Sequence, residues 1–159
     1  MEQRRTDLAL VLENLSEELN ISAILRTAEA LGVGRVCLVY PEDKKPHLSR
    51  KASSGAKDWL EIEWYTSIAD CITSLREQSK FKVVASIVEP SLPLLWDQAF
   101  TKDKIAVMVG NEAHGLSEEA IQLSDYKVYL PLFGLTESLN VSVAAALFLY
   151  EVVRQKEIG

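Results

Sequence analysis

The stretch LPLFGLTESLNVSVAAALFLY, residues 130–150, decides how the rest of the chain is read. An apolar strand end at 128–130 meets Pro131 and Gly134, and a polar turn carrying Ser138 and Asn140 then opens a helix of small and apolar residues. Such a turn leaves backbone groups unpaired beside a helix N-terminus. Ala144, Ala145 and Ala146 give the helix a low profile on which another segment or subunit can sit closely. Main-chain groups and small side chains would therefore shape a pocket. The plainer alternative is that Ser138 or Asn140 only caps the helix, so the other segments must decide.

Outward from this stretch, apolar runs alternate with helical spacings. Residues 105–109 (IAVMV) and 8–12 (LALVL) are continuous apolar runs of strand length, the pattern of strands buried on both faces. Residues 36–40, 60–65, 81–88 and 127–130 supply further strands. Ile21, Ile24, Leu25, Ala28 and Leu31 fall at helical spacing, with Asn20 or Ser22 as N-cap and Gly32 and Gly34 beyond the last turn. A helix is expected over 68–75, and another starts where Ser117 precedes Glu118, Glu119 and Ala120. Residues 89–104 read as a connection with at most one short helix. About six strands alternating with helices make an α/β domain with a mostly parallel sheet covered on both faces. Ligands of such sheets gather beyond the carboxyl ends of the strands, so Asn14, Ser86, residues 110–112 and residues 130–140 should share one rim.

The totals narrow the possibilities. A chain of 159 residues suits one domain over 1–159, and 48% hydrophobic with 25% charged residues describes an ordinary globular protein. No apolar run reaches membrane-spanning length and MEQRRTDLALVLEN lacks a signal-peptide cleavage site, so a cytoplasmic location is expected. Cys37 and Cys71 read as buried thiols, and His47 and His114 share no ligand spacing with them, so no metal is expected. His114 reads as a loop histidine, and Trp59, Trp64 and Trp96 as packing residues. A net charge of -6 argues against non-specific nucleic-acid affinity over the whole surface. Residues 44–57 (KKPHLSRKASSGAK) nonetheless hold Lys44, Lys45, Arg50, Lys51 and Lys57 without an acid, as a solvated loop or a phosphate-contacting segment would.

Several chemistries lack their motifs. There is no G-x-x-x-x-G-K-[ST] loop, no G-x-G-x-x-G after the first strand and no G-x-S-x-G elbow. The rim collects amides, a carboxylate, an arginine, a serine and glycines, a set suited to positioning rather than covalent catalysis. Three ordered segments, LENLSEELNISAILRTAEALGVG (N-x5-N-x5-R-T-A), VGNEAHGLS and LPLFGLTESLNVSVA, resemble the three motifs of the SpoU/TrmH family of SPOUT methyltransferases over nearly the whole chain.

That resemblance implies an α/β knot, in which the C-terminal part threads a loop as a deep trefoil, and a homodimer. It implies S-adenosylmethionine as cofactor and methylation of a ribose 2'-hydroxyl in RNA, in transfer RNA at a D-loop guanosine ahead of ribosomal RNA. Asn20 and Arg26 look like the first-motif pair that handles the RNA phosphate and the attacking hydroxyl, Glu112 like the second-motif carboxylate, and Ser138 with Asn140 like the polar pair of the third. Backbone around Val109, Gly110, Asn111, Glu112, Leu130, Pro131, Leu132, Ser138, Leu139 and Asn140 would cradle the cofactor, with Ser86 beside it. Lys44, Lys45, Arg50, Lys51 and Lys57 would join Asn20 and Arg26 in holding RNA. With only residues 1–6 and 155–159 outside the match, a catalytic domain without substantial extensions is expected.

Each residue also has a plainer role: Arg26 as a helix-surface ion pair, Asn20 as an N-cap, Glu112 as a helix-start carboxylate. A non-catalytic RNA-binding knot protein and an unknotted nucleotide-binding domain are the rival readings. Dimerisation is expected to use the final helix, through Val141, Ala145, Phe148, Leu149 and Val152.

Overall fold

The computed structural model describes residues 4–48 and 55–159. Among them six parallel strands form one sheet in the order β3-β2-β1-β5-β4-β6. The strands are β1 (Arg5–Glu13), β2 (Val33–Val39), β3 (Ile62–Tyr65), β4 (Phe81–Ser86), β5 (Lys104–Gly110) and β6 (Tyr126–Val128). The helices are α1 (Glu18–Ala30), α2 (Ala56–Trp59), α3 (Ile68–Glu77), α4 (Glu118–Leu123) and α5 (Val141–Ile158).

Strand periodicity of two divides the core in half. On β1, Leu8, Leu10 and Leu12 face a core shared with α1 and α5, while Ala9 and Val11 face one shared with α3 and α4. β5 repeats this with Ile105, Val107 and Val109 against Ala106 and Met108, in register with β1 through Leu10↔Val107 and Val11↔Met108. Burying each such side chain contributes roughly 1.5–3 kcal/mol. These two central strands thus fix the residues at their carboxyl ends, Glu13 and Gly110, side by side. β1 stops where Asn14 turns left-handed, at φ 57, with its N–H donating to the Val39 carbonyl at 3.0 Å.

Several expectations need correction. Asn20 does not cap α1: Glu17 holds the cap position without a side-chain cap bond, and Asn20 lies within the first turn. Ser22 is buried inside the helix. The one-turn α2 was not expected, since four residues carry too short a period to be read. Residues 89–103 are a connection without a helix, in line with expectation, tied down by an isolated bridge, Leu94↔Tyr129. Trp59 and Trp96 are 57% and 50% exposed, and Trp64 36%, so none is a core residue. On α5, Ala145, Phe148, Leu149 and Val152 are buried under the chain's own sheet, whereas Val143, Leu147, Tyr150 and the terminal Ile158 are exposed. Cys37 and Cys71 are buried, and no helix among the described residues is long and apolar enough to cross a membrane.

Candidate active site

The carboxyl ends of β1, β4, β5 and β6 bring three distant segments together. Glu112 follows β5, and its carboxylate accepts hydrogen bonds from the Ser16 N–H at 2.9 Å and the Glu17 N–H at 2.8 Å. A side chain from 95 residues away thus caps α1, satisfying orphan donors where the helix dipole favours negative charge. The Asn20 amide donates to the same carboxylate at 3.2 Å, and its carbonyl oxygen accepts from the Asn140 amide at 3.1 Å. Asn140 in turn caps α5, accepting the Ser142 N–H at 2.8 Å.

Burial pushes the Glu112 carboxyl up, but the N–H donors of Ser16, Glu112 itself and Glu17 and the Asn20 amide outweigh it and hold the group below its ordinary range. Glu112 is therefore an acceptor-only anion at neutral pH. It orients Asn20 and is a poor proton shuttle.

Asn111 builds the turn around this carboxylate. Its amide donates to the Asn14 carbonyl at 2.8 Å, and its oxygen accepts the N–H groups of Ala113 at 2.9 Å and His114 at 3.0 Å. The turn closes by paired bonds between Asn111 and Gly115. Gly110 is required there: a Cβ on it would lie 2.2 Å from backbone atoms of Gly115 and Leu116. His114 is an exposed residue of this turn.

Residues 130–139 lie between β6 and α5, and among the described residues none of them makes a main-chain to main-chain hydrogen bond. Leu130, Pro131 and Leu132 are half-buried, while Ser138 is exposed and has no hydrogen-bond partner among the described residues. Val109 and Gly110 close β5 and Ser86 closes β4, so all the expected cofactor positions lie on one rim. A loop of unpaired donors and acceptors backed by apolar side chains fits a nucleoside with an amino-acid tail.

Arg26 does not join its own chain's Glu112. It lies on the outward stripe of α1 with exposed Leu19, Ala23 and Ala30 and has no ion-pair partner among the described residues. Lys44 and Lys45 are exposed, Lys45 pairing with Glu42 at 3.3 Å and standing 5.7 Å over the Trp64 ring. Lys57 is half-buried and donates to the Leu48 carbonyl at 2.6 Å. Arg50 and Lys51 lie outside the described residues. Sequence reading missed the Ser16 and Glu17 N–H groups, which have no side-chain signal, and Glu13. The latter had one, as a carboxylate ending an apolar strand.

A profile of the SpoU rRNA Methylase family matches residues 7–150. The chain belongs to that family. Its SpoU relatives include a protein of Aquifex aeolicus named tRNA (guanosine(18)-2'-O)-methyltransferase, 33% identical over 99% of this chain and 74% of the relative. The crystal structure of the A. aeolicus TrmH/SpoU tRNA modifying enzyme superposes with a TM-score of 0.90 at 32% identity, over 99% of this chain and 79% of that one. The SpoU methyltransferase AviRb of Streptomyces viridochromogenes, solved in complex with AdoMet, gives a TM-score of 0.82 at 28% identity, over 98% of this chain and 63% of that one.

Proposed function

We propose that this chain is an S-adenosylmethionine-dependent methyltransferase acting on a ribose 2'-hydroxyl of transfer RNA, at a D-loop guanosine, and that it works as a homodimer with a knotted C-terminal segment. The observation that carries the reading is the hydrogen-bonded line Glu112–Asn20–Asn140, which ties all three motifs into one rim. The names of the Aquifex relative and of the AdoMet complex support the substrate and the cofactor. The backbone likeness to the TrmH/SpoU enzyme supports the knot.

The residues divide the work by geometry. Bound S-adenosylmethionine supplies an electrophilic methyl carbon with its own thioether leaving group, so the protein needs no nucleophile. Unpaired main-chain groups of 130–139 and the carboxyl ends of β4 and β5 would hold it, with Ser86 and Ser138 as side-chain donors. Asn20 and Asn140, fixed through Glu112, would orient the ribose hydroxyl toward the cofactor loop. Arg26 would anchor an RNA phosphate beside the hydroxyl and stabilise the charge that develops on the attacking oxygen, the hydroxyl proton being lost to solvent.

Dimerisation follows from what the monomer leaves uncovered. Val143, Leu147 and Tyr150 on α5, Leu19 on α1 and Phe133 and Leu135 in the adjoining loop are all exposed, Phe133 at 85%. The α1 and α5 helices pack together, so these residues belong to one side of the molecule. Arg26 stands on that side, and a second copy seated there receives it into its own rim.

The test is incubation with labelled S-adenosylmethionine and separate transfer and ribosomal RNA, with mapping of the methylated atom. A 2'-O-methyl mark on transfer RNA is expected. A mark confined to ribosomal RNA moves the substrate to that class, and failure to bind the cofactor by calorimetry ends the reading. Arg26→Ala is expected to keep cofactor affinity within about threefold while turnover falls about 100-fold, the scale of losing one charge-stabilising group.

A further inference from the structure

The Asn111–Asn14 bridge separates the Glu112 site from a second cavity on the same rim. This cavity, about 560 Å³, opens between the carboxyl ends of β1, β2 and β3 and the start of α3. Its volume is in the range of small-molecule sites. Val39, Pro41, Ile68 and Leu116 make its apolar walls.

Its chemistry selects the occupant. Glu13, only 8% exposed, lines it, and the two carboxylate oxygens accept the Ser117 N–H at 2.6 Å and the Ser117 hydroxyl at 2.7 Å. Each oxygen keeps a free lone pair, so two acceptors lie side by side. No lysine or arginine lines the cavity, and Glu13 has no ion-pair partner among the described residues. With Glu119 also on its wall, the cavity repels phosphate. An open cleft of mixed polar and apolar walls with paired acceptors on one side suits a neutral ring with two adjacent N–H donors. Among RNA bases guanine presents that pair, at N1 and the 2-amino group; adenine and cytosine set an acceptor beside their donor.

We propose that this cavity receives an unstacked guanine of the substrate RNA, at or next to the methylated nucleotide, with Glu13 reading its N1–H and 2-amino group. The inference rests on the RNA methyltransferase reading above. Asn111 joins the two sites: its side chain closes one wall of the cavity, and the next residue is Glu112. A base drawn into the cavity thereby draws its strand across the rim. Insertion requires unstacking, which single-stranded loops allow most easily.

Thr66→Trp and Glu13→Gln test this. Thr66 is exposed at the cavity and Trp there would obstruct it while leaving Glu13 and Ser117 themselves unchanged; Gln keeps the size of Glu13 but replaces one acceptor by a donor. Methyl transfer would be measured on the mapped RNA carrying guanosine, or inosine without the 2-amino group, at the target and at each neighbour. Both variants are expected to raise KM for the guanosine RNA about tenfold, the scale of one lost bidentate base contact, with cofactor affinity unchanged. The parent should favour guanosine over inosine at one position, and Glu13→Gln should erase that preference. An unchanged KM in Thr66→Trp, or a preference that survives Glu13→Gln, overturns the proposal. Should Glu13→Gln fail to fold, Thr66→Trp decides alone. If the parent methylates no RNA, the enzyme reading fails by itself, and calorimetry with guanosine, which carries no phosphate, then decides the cavity. Binding that Thr66→Trp abolishes supports it, and no binding overturns it.

Discussion

Asn20 holds the candidate site together with two bonds, one to an anion and one to a neutral amide. Its side chain is only half-buried, so Asn20→Ala should cost about 1 kcal/mol of stability. Turnover should fall more, about 10–100-fold, because the ribose loses its aim. Thermal denaturation set beside single-turnover kinetics separates the two effects; equal rates in variant and parent would leave Asn20 a structural residue. The Glu112 pKa lies below its ordinary 4.5, so the stabilisation from these bonds is complete above that pH and is lost as pH falls through the lower folded value. At this scale the sequence was legible only in part. Asn at a helix start usually caps it, and nothing local says that a carboxylate 92 residues away has taken that role and freed the amide. Arg26 was legible as a motif residue but not in direction, because spacing alone did not show that it points outward from α1 rather than into the rim.

The turn that follows β5 depends on two glycines for different reasons. Gly110 is needed for space, since its Cβ would meet backbone at 2.2 Å, whereas Gly115 has open space but φ +69. Gly115→Ala should therefore cost about 1 kcal/mol of backbone strain. Gly110→Ala should cost more, about 2–4 kcal/mol, as the strand end and the turn are forced apart. Calorimetric melting of both variants checks the order, and a smaller loss for Gly110→Ala would refute the packing argument. The long elements were legible because each carries at least two periods of its pattern, as in LALVL and IAVMV. The single turn of α2 and the bridge at Leu94 were not, since the first is too short and the second depends on pairing with Tyr129.

For the whole molecule, the parallel sheet with two covered faces was readable from runs of apolar strands, but the strand order was not. No local feature says that β5 inserts between β1 and β4. The outward face of α5 was misread for a related reason. α5 is apolar around much of its circumference, and only the fold shows that Phe148 and Leu149 turn inward while Leu147 and Tyr150 turn out. Leu147→Glu should change the stability of a single chain by no more than about 0.5 kcal/mol. It should halve the mass measured by sedimentation and abolish methyl transfer. A parent that sediments as one chain would dismiss the dimer.

The insertion of β5 also dictates a timetable for biogenesis. When residues 1–100 have left the ribosome, β1 can lie against β2 on one edge, but its other edge stays bare until residues 104–110 emerge to form its second neighbour. At synthesis rates of about 5–20 residues per second that interval lasts seconds, with the leucine-rich centre of the sheet uncovered. The nascent protein is therefore most exposed to misassembly, and most in need of chaperone shelter, just before its last third is made.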